Sequence, residues 1–395
     1  MIGGSTPEAE LSDLGPWPDE APAITREERA VRLDRLRTLA GEAGADAVLV
    51  NVGPNLRYFA GISWQPSERL VAMLVPASGR PAMICPAFEL GTLEADLAID
   101  VDMRLWEEEE DPIALIADTL GAMGARTLAV DPLFPFQWAE RLRAATPSRL
   151  VDGGPAIDRC RIIKSAAEIA LLAQAKAMTL EVHRRTARIL HPGIRASEVV
   201  RFIDAAHRAL GAAGSSFCIV QFGHATAYPH GLPGDRALED DQLVLVDTGC
   251  LVEGYHSDIT RTYAYGNVGD AERDIWQIEA AAEQAAFDAV RPGRTCEEID
   301  KAARDVIEKA GLGPGYRLPG LPHRTGHGIG LSIHEPAYLV PGDRTVLEPG
   351  MCFSDEPMLV VPERFGIRLE DHFHVTETGA AWFTEPQKSI DRPFD

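Results

Sequence analysis

The chain has 395 residues, 45% of them hydrophobic and 25% charged, the balance of a globular protein that can bury a sizeable core over two or three domains. Its formal net charge of −22 argues against nucleic acid or an anionic membrane surface as a partner, because both are polyanions. No apolar run is long enough to span a bilayer, and the first 25 residues, acidic and proline-containing, have neither the basic start nor the apolar stretch of a signal peptide. Six cysteines (Cys85, Cys160, Cys218, Cys250, Cys296 and Cys352) are scattered without CxxC pairs, the usage of a reducing compartment, so the cytoplasm is the expected location.

Residues 1–25 read as an irregular arm, and residues 26–43, with leucines at helical spacing among Arg and Glu, as a helix. Apolar runs at 46–52, 69–76 and 81–86 predict strands, the last two joined through Ala77-Ser78-Gly79-Arg80 as a hairpin. A helix at about 112–121, a strand at 127–131 and a helix at 136–145 follow. Alternating strands and helices make residues 1–157 an α/β domain without a phosphate loop or a cluster of ligand-type residues, so a structural or oligomerising role is expected. The run of five acids at 107–111 reads as a solvated loop.

The second domain spans 158–395. It opens with Ser165 and Glu168 as the capping box of a helix running to Leu190, where His191-Pro192-Gly193 ends it. A helix at 196–210, a strand at 217–222 and a loop at 223–230 precede a hairpin, and helices at 272–290 and 296–310 succeed it. The rest is β-rich, with runs at 330–334, 351–361 and 368–377.

The hairpin, LVLVDTGCLVEGYHSDITRTY at 243–263, carries the first chemical signal. Asp247 ends an apolar strand and Asp258 begins a second, with Glu253-Gly254 as turn. A turn centred on Val252-Glu253 sets 247 opposite 258 on one sheet face, with Cβ atoms roughly 4.5–5.5 Å apart. Two ionised carboxylates that close in a half-buried sheet need a cation between them. Three more candidate ligands lie downstream. His327 stands between glycines in Gly326-His327-Gly328, which lets backbone approach closely, and neutral imidazole is a common metal ligand. Glu356 follows Ser354-Asp355, and Glu370 shares a strand face with Arg368, which can orient or neutralise carboxylates from outside the ligand set. One histidine and four carboxylates form an oxygen-rich set, anionic enough for two divalent cations that hold a bridging water or hydroxide.

The contexts DTG, SDITRT, GHGIG, DEP and RLED, in this order, resemble the metallopeptidases of the pita-bread fold, and among them most closely the Xaa-Pro dipeptidase (prolidase) and aminopeptidase P branch. The resemblance covers most of the chain and implies an α+β architecture, an N-terminal creatinase-like α/β domain followed by a pita-bread catalytic domain. It implies that Asp247 belongs to one metal, that Asp258 and Glu370 bridge, and that His327 and Glu356 hold the other metal, with Glu356 also the general base. His230 and His334 match non-ligand histidines that hold the scissile carbonyl, whereas His224 and His323 read as structural. Manganese is the leading metal, with cobalt or zinc as alternatives, and a homodimer is the implied assembly.

The chain departs from the family pattern at Tyr338, four residues after His334, where an arginine often grips the substrate's terminal carboxylate. Arg368 or Arg364 is a candidate to replace it, the alternative being a carboxylate held only loosely, so relaxed discrimination between dipeptides and slightly longer peptides is expected. Asp355 stands where an aliphatic residue is usual, and strand alternation is expected to point its side chain away from the metals. Two other classes of function compete: a non-peptidase amide or amidine hydrolase or lyase on this scaffold, and a catalytically dead binding module. Retention of all five ligand types counts against the last.

Overall fold

The computed structural model describes residues 2–394. Residues 24–161 form one compact unit, and the residues flanking them on both sides in sequence form the other. The arm is more ordered than its composition suggests. Its Pro7–Ser12 segment is a helix capped by Thr6, and Glu10 accepts from Arg185 and Arg188 at 3.3 Å each. Leu11, Leu14 and Trp17 close over the apolar side of the second unit's helices, so the first 23 residues belong to that unit rather than to the N-terminal domain.

The unit 24–161 is built on a six-stranded mixed sheet, from β1 (Ala47–Asn51), β2 (Ala72–Pro76), β3 (Ala82–Pro86), β4 (Asp102–Trp106), β5 (Thr127–Val130) and β6 (Arg149–Asp152), in the order β4-β3-β2-β1-β5-β6. The predicted hairpin pairs as expected, with Ala72 opposite Ile84. All five residues of β1 are buried, the reading of a central strand covered on both faces.

The larger unit is organised by the helix Ala166–Arg188, whose capping box is formed by Ser165 and Glu168. One stripe of this helix, at i, i+3 and i+7, meets a single backbone segment. Lys176 Nζ donates to His256 O at 3.1 Å, Thr179 Oγ1 lies 2.6 Å from Ser257 Oγ, and His183 Nε2 lies 3.0 Å from Ile259 O. That segment belongs to a meander of β7 (Ser215–Phe222), β8 (Gln242–Val252), the short β9 (Tyr255–His256) and β10 (Ile259–Tyr265). A second antiparallel sheet, ordered β12-β11-β13-β16-β17, contains β11 (Gly326–Gly328), β12 (Glu335–Leu339), β13 (Cys352–Asp355), β16 (Asp371–Val375) and β17 (Ala380–Trp382). Between β13 and β16 lies a hairpin of β14 (Met358–Val361) and β15 (Phe365–Arg368). A bridge between Thr260 and Glu370 joins the two sheets, with Glu370 N donating to Thr260 O at 3.1 Å.

Two strand expectations change. Residues 330–334 are a turn rather than a strand, which carries His334 in the loop from β11 to β12. The run 351–361 breaks at Glu356-Pro357, where proline has no N–H to give a ladder. Glu370 likewise sits between β15 and β16. Both glutamates therefore occupy breaks, which frees their side chains to turn inward.

Candidate metal centre

The hairpin register differs from the one read in sequence. Its loop is the two residues Glu253 and Gly254, both with positive φ (49° and 82°), so Val252 pairs with Tyr255 and Asp247 with Thr260. Asp258 is not opposite Asp247. It lies in the break after β9, where the chain folds back over β8 so closely that a Cβ on Gly249 would fall 1.8 Å from Ser257 O. Glycine at the third position of DTG is thus a steric requirement, and the helix stripe Lys176, Thr179 and His183 fastens this break from behind. The two aspartates still converge, because oxygens of Asp247, Asp258 and Glu370 lie within 4.8 Å of one another.

A second triplet, His327, Glu356 and Glu370, meets the same spacing, so Glu370 is common to both groups. The flanking glycines let His327 sit against β12 and β13: a Cβ on Gly326 would lie 2.0 Å from Ser354 O, and one on Gly328 2.7 Å from Glu335 O. His327 Nδ1 is 2.9 Å from Gly328 O, a bond that requires the hydrogen on Nδ1 and leaves the Nε2 lone pair facing the acids. Ser354 Oγ accepts from His327 N at 2.9 Å and donates to Glu356 Oε1 at 3.3 Å. Thr260 Oγ1 donates to Glu370 Oε2 at 2.7 Å and accepts from Arg368 Nε at 2.9 Å, while Arg368 Nη2 holds Asp247 Oδ2. Arg368 and Glu370 thus share a face, as their alternation predicts. Arg261, fully buried, fixes the same seam by donating to Thr260 O, Glu370 O and the Asp371 carboxylate.

Electrostatics and hydrogen bonding both leave this cluster incomplete. Asp247 Oδ1, Glu370 Oε1 and His327 Nε2 are buried without a hydrogen-bond partner. His327 Nε2 points its lone pair at Glu356 Oε1 from 3.2 Å, two acceptors facing each other. Burial, then the neighbouring carboxylates, raises Asp258 and Glu370 well above the usual carboxylate range. Burial raises Glu356 to about 7 against the opposing pull of Arg368, and burial with the nearby His334 lowers His327 to about 3. A cluster of unpartnered acceptors that resists ionisation is what divalent cations would satisfy, so the donor set fits such ions.

His334 is exposed, with its ring 4.3 Å from that of His327 and edge-on to it. A nitrogen of His334 also comes within 4.8 Å of ligand atoms of Asp258 and His327. His230 is exposed too, and it lines a cavity of about 320 Å³ with Gln221, Phe222 and Leu232. We expect His334→Ala to lower kcat by about 10²–10³ with metal content unchanged, the scale for one lost oxyanion donor. Metal loss in that variant would instead make His334 a ligand.

Asp355 lies directly opposite Asp371 across β13 and β16 and belongs to none of the groups at metal-binding spacing. Both are fully buried, and neither oxygen of Asp355 has a hydrogen-bond partner. Burial, then Glu283, Asp371 and Glu356, holds Asp355 well above the usual carboxylate range. Among the described residues, the groups at metal-binding spacing draw only on Asp247, Asp258, His327, His334, Glu356 and Glu370. Of the two histidines read as structural, His323 bonds Arg324 O through Nδ1 at 2.7 Å, and His224 sits edge-on to Tyr228. Lys176, Thr260 and Ser354 are the supporting residues that sequence reading missed. Thr260 was legible only through the correct hairpin register, and Lys176 only through its place on the helix stripe.

The model of metallopeptidase family M24 matches residues 170–377, and that of the creatinase/prolidase N-terminal domain matches residues 32–163. A probable dipeptidase PepE of Mycobacterium bovis is 37% identical over 354 residues, covering 89% of this chain and 93% of the relative. An Xaa-Pro dipeptidase of Lactobacillus helveticus is 34% identical over 368 residues, covering 91% and 98%. The crystal structure of dipeptidase PepE from Mycobacterium ulcerans superposes with a TM-score of 0.86 at 36% identity, covering 94% of this chain and 99% of that one. A cluster of carboxylates and histidine suited to divalent metal ions, in the pita-bread catalytic domain of a chain whose N-terminal domain is of the creatinase type, therefore has its explanation: the chain belongs to metallopeptidase family M24.

Proposed function

We propose that this enzyme hydrolyses the bond before proline in Xaa-Pro dipeptides. The observation that carries the reading is the convergence of Asp247, Asp258, His327, Glu356 and Glu370, with unpartnered buried acceptors, beside the exposed His334. Two divalent ions bound there, with manganese ahead of cobalt or zinc for so oxygen-rich a set, would supply Lewis acidity and a water of lowered pKa. Asp247 would hold one ion and His327 and Glu356 the other, while Glu370, common to the two triplets, and Asp258, by the family resemblance, would serve both.

The residues divide the remaining work. Glu356 takes a proton from the attacking water and returns it to the leaving proline nitrogen, so one water is consumed and one C–N bond is cleaved. His334 and His230 donate N–H groups to the carbonyl oxygen as charge develops on it. Arg368, committed to Asp247 and Thr260, positions carboxylates rather than substrate. Proline's tertiary amide has no N–H to satisfy, so the site needs only a ring-shaped space beyond the scissile bond. All six cysteines are free, which agrees with a cytoplasmic setting, and the homodimer is carried over from the family resemblance.

Metal analysis together with hydrolysis of Gly-Pro and Ala-Pro tests the proposal. About two ions per chain with cleavage of both dipeptides is expected. Metal binding without cleavage of either would point to a different reaction on this scaffold.

A further inference from the structure

We propose that Arg324 anchors the terminal carboxylate of the substrate, which makes this a site selective for a free carboxylate group. The inference rests on the dipeptidase reading and names the group that recognises the product end of the substrate.

Each of the other arginines around the centre already holds an acid. Arg368 bonds Asp247, Arg261 bonds Asp371 at 2.8 Å, and Arg304 bonds Asp300 at 2.7 Å. Arg324 is different. Arg324 is half-buried, its guanidinium carbon lies 4.6 Å from the centroid of the Tyr338 ring, and no carboxylate among the described residues pairs with it. The cation–π contact with Tyr338 holds the guanidinium in place without using its N–H groups on an acid, so they are available to a carboxylate partner.

The backbone on either side of Arg324 is fixed. Arg304 Nη2 donates to His323 O at 2.7 Å, Thr325 Oγ1 donates to Asp300 at 2.8 Å, and Glu356 N donates to Thr325 O at 2.7 Å. The last bond ties the arginine's neighbour to the expected general base. Tyr338 pairs with His327 across β11 and β12, so the stacked pair stands beside the metal centre.

Tyr338 is therefore not simply a neutral replacement for a cation. It is the surface on which a cation from three residues before His327 rests. The other arginines that sequence left open are unsuitable: Arg368 is spent on Asp247, and Arg364 lies exposed in the β14–β15 turn. Relaxed length discrimination, expected from Tyr338 alone, gives way to a preference for a carboxylate directly after the scissile bond's proline ring.

The test compares Ala-Pro with Ala-prolinamide, which differ only in that carboxylate, on metal-loaded wild type, Arg324→Met and Arg324→Lys. In Arg324→Met, kcat/KM for Ala-Pro should fall by about 10- to 100-fold relative to that for Ala-prolinamide, the value of hydrogen bonds to a charged group. Most of the loss should appear in KM, and Arg324→Lys should restore part of it. An equal fall for both substrates, or lost metal in Arg324→Met, would overturn the proposal by making Arg324 a support of the metal centre. Calorimetric titration with L-proline and L-prolinamide decides the point without turnover. Wild type should bind proline more tightly and Arg324→Met should not discriminate, whereas equal binding to both proteins refutes the anchor. Failure of wild type to cleave either substrate bears on the dipeptidase reading alone.

Discussion

Replacing Glu370 by alanine should yield a folded chain that neither retains two divalent ions nor turns over Ala-Pro. Glu370 is the side chain common to both triplets of candidate ligands, and it sits in the break between β15 and β16 with Oε1 free of any protein partner. Its other oxygen is fixed by Thr260 Oγ1, whose hydroxyl also receives Arg368. Alanine removes the shared acceptor while Arg368 keeps its full charge at the seam. That positive charge then opposes cation binding at both positions. The loss of activity should exceed the 10–100-fold typical of partners outside the ligand set, reaching at least about 10³-fold. Arg261 bonds the backbone of Thr260 and Glu370 rather than the glutamate side chain, so the joint between the sheets survives. Elemental analysis of the variant beside wild type, with circular dichroism to confirm folding, checks this. Two ions per chain with near-normal turnover would show that Glu370 is not a shared ligand.

The residues that converge at the candidate centre and the domain types were legible in sequence because short motifs carry them, and the geometry around them was legible only in part. The hairpin shows why. A turn centred one position too early shifts the register by two residues, which preserves faces but changes partners, so Thr260 rather than Asp258 lies opposite Asp247. Nothing in local pattern reveals that Asp258 leaves the ladder, except Gly249, whose place is explained only by a backbone 1.8 Å from its absent Cβ. The breaks at Glu356 and Glu370 have one visible cause, Pro357, and one hidden cause, the bridge to Thr260 from the other sheet. Lys176 looks solvated in a helical pattern and is fully buried, because its partner is a carbonyl 80 positions away. Arg324 was invisible for the same reason, since its meaning comes from a ring brought to it by strand pairing.

Glu356→Gln should separate metal holding from proton transfer. The glutamine keeps an oxygen for coordination and a volume that fits the gap between Ser354 Oγ and His327 Nε2, which now lie 3.3 and 3.2 Å from Glu356 Oε1. It cannot accept a proton near neutral pH. In the metal-free protein, burial raises Glu356 to about 7, so the carboxyl keeps its proton through the acid range and loses it as pH rises through 7. A base with that position is close to ideal for work at neutral pH, and bound cations favour its ionised form further. Competition between protons and cations for this oxygen means that metal binding should release protons, with affinity falling as pH drops below about 7. The variant should retain at least one ion per chain and lose about 10²–10⁴ in kcat, the range for a positioned general base. It should also release fewer protons on metal binding, measurable by titration in buffers of different ionisation enthalpy. A Glu356→Gln enzyme with wild-type kcat would remove Glu356 from the base role, and one that binds no metal would show that its carboxylate charge, rather than its oxygen, holds the ion.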